Sequence, residues 1–401
     1  MREQLIGKEK DDFTLFVNRR ELVINSGKLI KTMDTGADAA TAEIAWEPGF
    51  DDEIDAATAP YSFAESAVYL GGFLQSEQIL YNVTPKLTAS GRIKDLEFFS
   101  KTADIIDSTV LPPYEMNNVR LTDRARQQCT PFGINVIVGE DAAKALNETR
   151  RVVSSVGYGR QFPIGFRLIQ DFSSFVPINL QRQRQVSRYV TDEKKFSRVS
   201  AEPTDTIFDH LVKLASERGL LLSCTKYGDL LITKANVNAA SVGTIEEEVS
   251  PLASEYIATF KGRDRWNTYR SIASSSSKRR TAGASLARDM AVKAPRLLAF
   301  QADDNIPGEA SSAAEWRKNK SAADAMTVNF PVSSWYAPNK KLWDVNTAVT
   351  VVSKTLGIKN GFTFLITQVE FIFDNGGSRA VLQLKPPTVY STGAITEPWL
   401  S

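Results

Sequence analysis

The chain has 401 residues, 42% of them apolar and 24% charged, with a net charge of +1 and two cysteines. Such a balance belongs to an ordinary globular protein of two or three domains. It excludes a disulfide scaffold and leaves no bulk charge to draw the chain to nucleic acid or to a membrane. The opening residues, MREQLIGKEKDD, lack the apolar core of a secretory signal, and no apolar run approaches the roughly 20 residues that span a bilayer. The chain is therefore expected to fold in a reducing cytoplasm without inserting into a membrane.

Residues 13–17 and 21–24 read as short strands around Asn18-Arg19-Arg20, and residues 41–46 as another, stopped by Pro48-Gly49. Asp51, Asp52, Glu53 and Asp55 follow as an acidic loop. Their spacing lacks the D-x-D-x-D-G order of a calcium loop, so solvated surface is expected. Residues 68–73, 79–83, 86–90 and 92–96 add strands. Short strands at near-even spacing predict a small barrel or sandwich over residues 1–111.

Residues 112–250 change character, to a mixed α/β middle region. A helix is expected over 121–130, with Gly133 as its stop and a strand over 134–138. The order recurs: Ile207, Phe208, Leu211, Leu214 and Ala215 share one face of a helix, with Pro203-Thr204-Asp205 at its start and Gly219 after its end. Residues 220–224 then read as a buried strand, 226–229 as a turn and 230–233 as the return. Between the two units, Gln181-Arg182-Gln183-Arg184-Gln185 has no period and reads as a loop or a partner contact.

Residues 251–401 return to β. Residues 256–261 and 268–274 are expected to pair around Arg263-Asp264-Arg265-Trp266. Residues 274–284, SSSSKRRTAGA, read as a flexible polar loop. A strand over 296–301 precedes an Ala-rich helix over 309–323, with Trp316 its one large anchor. Residues 325–332 and 347–352 complete a sheet that a hairpin, 361–390, closes. In that hairpin Asp374-Asn375-Gly376-Gly377 supplies the turn. Ala380, Leu382 and Leu384 alternate on the return strand against Val369, Phe371 and Phe373. Phe364 and Ile366 have the other parity, which requires a bulge or burial of both faces. Pro386-Pro387 ends the ladder. The fold class is thus β-dominated α+β: two antiparallel β-barrel domains, 1–111 and 251–401, flank the region 112–250.

Catalytic chemistry is nearly absent. His210 is the only histidine and lies inside a helix beside Phe208 and Leu211, a packing or surface position; with one histidine there is no H-E-x-x-H metal pair. Cys129 and Cys224 stand in no nucleophile or zinc motif, and no G-x-S-x-G elbow occurs. Gly157-Tyr158-Gly159 lacks the Lys-Ser/Thr pair of a phosphate loop. Lys278-Arg279-Arg280 could touch phosphate but reads as a solvated tip. The sequence therefore names no catalytic, cofactor-binding or metal-ligating residue. Two facing carboxylates would suffice for a glycosidase, and that alternative stays open.

Several stretches in this order resemble the central baseplate hub protein of Mu-type contractile-tailed phages, related to the hub part of type VI secretion spike proteins. They are Gly91-Arg92 with Asp95-Leu96 and Asp107-Ser108; Glu202-Pro203, then Gly219-Leu220-Leu221-Leu222 and Tyr227-Gly228-Asp229-Leu230; Arg296-Leu297-Leu298 with Trp316; and Trp343, Leu356-Gly357-Ile358 and the hairpin ending Pro387-Thr388-Val389-Tyr390. The resemblance implies a homotrimeric ring without enzymatic activity or cofactor, in which each subunit contributes two similar barrels. One face would meet the sixfold tail tube and the other the threefold central spike, with baseplate wedge and tape measure proteins as further partners. DNA would pass through without specific binding. The protein would sit in the virion after assembly in the host cytoplasm. A phage-derived bacteriocin or injection machine could use the same hub, and an unrelated β-rich binding module is the third alternative.

Overall fold

A computed structural model describes residues 4–5, 9–49, 51–89, 91–156, 184–250, 255–273, 285–302 and 309–390. The chain divides into two compact units, residues 1–143 with 195–401, and residues 144–194. Strands dominate, with six α-helices among the described residues.

The N-terminal region supplies seven strands: β1 (Phe13–Val17), β2 (Arg20–Leu22), β3 (Ser26–Thr32), β4 (Ala39–Ala45), β5 (Glu65–Leu70), β6 (Phe73–Thr88) and β7 (Gly91–Phe99). Asn18 and Arg19 adopt positive φ and make the tight β1–β2 turn. The acidic stretch is not a loop but the start of helix α1 (Asp52–Ala57). Asp51 caps it, accepting from the amides of Glu53 and Ile54 at 3.0 and 3.1 Å, and Arg20 pairs with Asp51 and Glu53. β6 is one 16-residue strand where the sequence suggested two, because its outer half, largely exposed on both faces, extends beyond the sheet paired to β7.

The middle contains helix α2 (Ala103–Asp107), β8 (Glu115–Val119), α3 (Leu121–Cys129), β9 (Val136–Val138) and α4 (Glu140–Leu146). Next come β10 (Asn147–Val156) and β11 (Arg184–Glu193), which form a two-stranded ribbon, then β12 (Phe196–Ser200), α5 (Ile207–Glu217), β13 (Leu221–Cys224) and β14 (Leu230–Thr233). Thr206 caps α5 through the Asp209 amide, and Gly219 takes φ +65 after its end, both as helix geometry demands. β9 joins β14 in parallel, so the two helix–strand units share one small sheet. Arg184 and Gln185 belong to β11; residues 181–183 lie outside the described residues.

The C-terminal region supplies β15 (Ser241–Glu246), β16 (Ile257–Phe260), β17 (Thr268–Ala273), β18 (Ser285–Arg288), β19 (Leu297–Ala302), helix α6 (Glu309–Asp324), β20 (Met326–Val332), β21 (Ala348–Ser353), β22 (Ile358–Asp374) and β23 (Gly377–Lys385). β16 and β17 do not pair, contrary to expectation: β16 pairs with β20, while β17 lies between β18 and β19 in a separate sheet. Tyr269 and Ala287 of that sheet pack on Ala314 of α6, so proximity in sequence yields to packing on the helix. In the hairpin, both explanations for the change of parity hold. The β22–β23 register shifts between Ile366 and Gln368. Phe364 and Ile366 enter the main core, while Leu365 joins a second cluster with Met33, Trp316 and Tyr390.

β1 to β7 and six C-terminal strands make one 13-stranded sheet, joined where β3 pairs with β22. No ring of pairing closes among the described residues. β15, which a domain boundary at residue 250 leaves in the middle region, belongs to this sheet beside β21. The two halves repeat one topology. Numbering β1, β3, β4, β5, β6 and β7 from one to six, with the short β2 outside the repeat, their spatial order is 1-4-5-6-3-2; β15, β16, β20, β21, β22 and β23 give the same order. Strands three to six have 7, 6, 16 and 9 residues in the first half and 7, 6, 17 and 9 in the second. Each fifth strand bulges at the matching place, Leu80/Asn82 and Ile366/Gln368, and each hairpin closes on an equivalent pair, Thr88 with Gly91 and Asp374 with Gly377. The one difference in sense is that β1 meets β5 antiparallel and β15 meets β21 parallel.

Candidate functional site

Among the described residues, none of the sequence's candidate reactive residues are gathered into a catalytic constellation. His210 is buried on α5, and its Nε2 accepts from Arg124 Nε of α3 at 3.3 Å. Burial, then the Arg124 charge, pushes its pKa down to about 4, so it is a neutral packing residue at neutral pH. Burial raises the Cys129 thiol to about 12. Cys224 is likewise pushed up, by burial and then by Asp38, so neither sulfur is a ready nucleophile. Among the described residues no group of three or more His, Cys, Asp or Glu is placed to hold a metal ion, and no helix is long and apolar enough to cross a membrane. Gly157-Tyr158-Gly159, Lys278-Arg279-Arg280 and the loop 274–284 lie outside the described residues.

Two partly buried polar clusters escaped the sequence reading. Asp38 follows β3, accepts from the Thr32 amide at 3.3 Å and sits near Lys31; burial raises its carboxyl to about 6 against the lowering pull of Lys31. Lys31 in turn bonds Asp344 at 2.8 Å. The second cluster is Asp34, Lys320 and Asp324, with both carboxylates 3.1 Å from the ammonium. Asp34 and Lys320 border a cavity of about 410 Å³ between α5, β13 and α6, walled by Leu220, Leu221, Phe300 and Trp316. No motif could have announced these clusters, because their members lie up to 313 residues apart in sequence.

What remains accessible are strand edges. Among the described residues β16 pairs only with β20, and the outer half of β6 only with β7. These edges carry exposed apolar residues: Ile257 is 55% exposed, Phe260 51% and Leu87 80%. Edge strands with exposed apolar side chains are places where another chain can add. In the ribbon, residues 149–156 and 184–191 include Arg150, Arg151, Arg184 and Arg188 and no acid.

Residues 306–392 match the family model described as Mu phage baseplate assembly protein GpP, fourth domain. The resemblance to Mu-type baseplate proteins seen in the sequence is thereby shown, over α6 and the last four strands of the second repeat. No curated relative matches the sequence. Among solved structures, the 43 kDa tail protein of prophage MuSo2 from Shewanella oneidensis is similar at 20% identity and a TM-score of 0.68, over 94% of this chain and 99% of that one. The tail protein from Neisseria meningitidis is similar at 13% identity and 0.69, over 94% and 97%. Prophage tail protein gp18 from Listeria monocytogenes gives 10% and 0.53, over 93% and 94%. The chain therefore has a prophage tail-protein fold along nearly its whole length.

Proposed function

We propose that the chain is the structural hub of a contractile phage-tail baseplate. Three copies form a ring that adapts the sixfold tail tube to the threefold central spike and lines the channel through which DNA leaves. The observation that carries this reading is the repeated 1-4-5-6-3-2 strand order. A closed ring of three chains offers six alike docking surfaces only if each chain carries two. The match to a Mu baseplate family model supplies the setting.

On this reading residues 1–111 and 251–401 are the two barrel-like domains, and 112–250 faces away from the tube. The partners are tail tube, central spike, wedge and tape measure proteins. DNA passes without specific binding, and assembly takes place in the host cytoplasm before the virion is complete. The protein has no catalytic role: a peptidoglycan zymogram should show no clearing, and clearing abolished by one carboxylate substitution would favour a cell-wall hydrolase instead. A bacteriocin or injection-machine hub would use the same geometry. Reconstruction of the tail tests the proposal. It expects three copies in one ring with both repeats at equal radius; six copies, or repeats at different radii, overturn it.

A further inference from the structure

We infer that the loop between α1 and β5 is a docking tip: the rings of Tyr61 and Phe63 seat against a cationic segment of another protein, once per chain. The inference rests on the baseplate reading above and deepens it by giving the chemistry of one partner and the number of its sites.

Residues 58–64, TAPYSFA, run from the end of α1 to β5. Tyr61 is 84% and Phe63 55% exposed, and both take positive φ, +61 and +46. Positive φ suits glycine; in a bulky residue the Cβ crowds the backbone, and surrounding contacts must hold the strain. Such contacts are present. Thr58 Oγ1 donates to the Ile54 carbonyl and Ser62 Oγ to that of Ala57, each at 2.8 Å, and the Leu80 amide donates to the Ala64 carbonyl at 3.0 Å. Phe63 meets Tyr81 edge-on at 5.9 Å, and the Tyr81 hydroxyl donates to Asp104 at 2.6 Å. The loop therefore holds two aromatic rings outward against backbone strain. Tyr61, so exposed, adds little burial to the single chain. Rigid aromatic rings turned to solvent are the anchors that interfaces use.

The fold does not require this arrangement, because the second half does without it. There the third and fourth strands of the repeat, β20 and β21, are joined by residues 333–347. That connection turns its tryptophans inward: Trp335 is fully buried and Trp343 is 3% exposed, each with its indole N–H on a backbone carbonyl. Its positive φ falls on Lys340 and Asn346 instead. Charge differs as well. Residues 47–85 contain no lysine or arginine, whereas the second connection exposes Lys340 and Lys341. The two halves thus present different surfaces at this connection, and the tip is a single site in each chain.

Charge selects the partner. Asp51, Asp52, Glu53 and Asp55 precede the loop and Glu65 follows it. Arg20 pairs with Asp51 and Glu53, and Lys94 lies 3.6 Å from Asp55. Among the described residues Asp52 and Glu65 are exposed and enter no ion pair. A cationic side chain laid over the Tyr61 ring gains a cation–π contact in the field of these carboxylates. Phosphate, whether of nucleic acid or of an anionic membrane, is repelled by the same field. The occupant is therefore a protein segment that carries arginine or lysine beside apolar side chains.

Photo-crosslinking tests the tip. The full chain with p-benzoylphenylalanine in place of Tyr61 is irradiated inside assembled tail particles, and the linked peptides are sequenced by mass spectrometry. The expected product joins the tip to one segment of another protein, with net positive charge. Asp52→Lys combined with Glu65→Lys should cut that link at least about tenfold. Tyr61→Gly should leave the melting temperature of the purified chain unchanged or raise it, since glycine accepts the φ, yet lower the yield of complete tails at least about tenfold. Tyr61→Phe should keep the parent's yield. No link, or a link to nucleic acid, to a second copy of this chain or to an acidic segment, overturns the tip. So does a Tyr61→Gly chain that melts lower than the parent or assembles as well. Reconstruction counts the copies separately. A three-copy ring without the link keeps the hub and overturns the tip; the link in a ring of another number does the reverse.

Discussion

Phe371 is where the seam between the repeats can be weighed. It is fully buried on β22, with Leu29 of β3 opposite on one side and Ala380 of β23 on the other. Its ring meets Trp335 edge-on, with centroids 6.4 Å apart. Phe371→Ala removes a ring whose neighbours cannot close the gap. Leu29 is held in register by Ala40, Ala380 has no side chain to extend, and Trp335 is pinned by hydrogen bonds from its indole N–H to the carbonyls of Ile372 (3.2 Å) and Arg379 (2.9 Å). A site that cannot collapse belongs at the upper part of the about 3–5 kcal/mol observed for buried Phe→Ala. With a slope of about 3 kcal/mol per molar urea, the midpoint should fall by more than about 1 M. Phe373→Ala is the internal control. Phe373 is only partly buried and stacks on Phe13 at 6.3 Å, so it should lose about half as much. Equilibrium urea denaturation of the two variants reads the difference. An unchanged midpoint for Phe371→Ala, or a larger loss at Phe373, would refute the assignment of the core-facing side and with it the packing at the seam.

Asp38, with a folded pKa of about 6 against an ordinary 3.8, makes the folded chain bind more protons than the unfolded one between those values. Its contribution is present below about pH 4 and is lost, by about 3 kcal/mol, as pH rises through 6. His210, at about 4 against 6.5, works in the opposite sense: its contribution is present above pH 6.5 and is lost, by about 3 kcal/mol, as pH falls through that window toward 4. The two trends oppose each other in the wild type, so denaturation midpoints from pH 4 to 7 should rise with pH in Asp38→Asn and fall with pH in His210→Gln; parallel profiles would exclude these protonation states. Gly36→Ala should destabilise by about 2 kcal/mol or more, read by thermal melting, because Gly36 has φ +79 and an added Cβ would lie 2.2 Å from the Phe208 ring.

The hairpin was legible because each of its strands has a core face that alternates, and because Asp374 to Gly377 can only turn. The strand that receives it was not. β3, SGKLIKT, has one fully buried apolar residue, Leu29; its other buried positions are the polar Thr32 and Gly27, where a Cβ would lie 2.8 Å from the Phe13 ring. A seam strand paired on both sides and packed through a glycine shows no apolar period. The division of β6 into two strands had a different cause: Thr84-Pro85 interrupts the run between residues 79–83 and 86–90, yet residues 82–88 continue as one strand paired with β7. In the partly buried clusters, Lys31–Asp344 and Lys320–Asp34 are brought together by topology, whereas Lys320–Asp324 is a local pair four residues apart on α6. The repeat itself left almost no trace. Residues 79–99 and 365–385 align without a gap, yet the only identities are Val83 with Val369, Gly91 with Gly377 and Leu96 with Leu382.

That divergence has a physical reason. The glycines persist because both hairpins need positive φ after the turn, +137 at Gly91 and +91 at Gly377. Elsewhere the same topological edge meets two demands. On β22 it is covered by β3 of its own chain as soon as the protein folds, so Phe371 and Phe373 can be large and apolar without risk. On β6 the equivalent residues 82–88 pair with β7 and are mostly exposed, and strands in that state are protected by charge and proline. Pro85 replaces Phe371 there, Lys86, paired with Asp95, replaces Ile372, and Leu87 alone keeps an apolar side chain at the place of Phe373. One topology in both halves is therefore compatible with two sequences that part along this edge, since β3 covers it in one half and solvent reaches it in the other. Restoring the β22 residues on β6 would expose a long apolar edge, and the variant should aggregate where the parent chain does not.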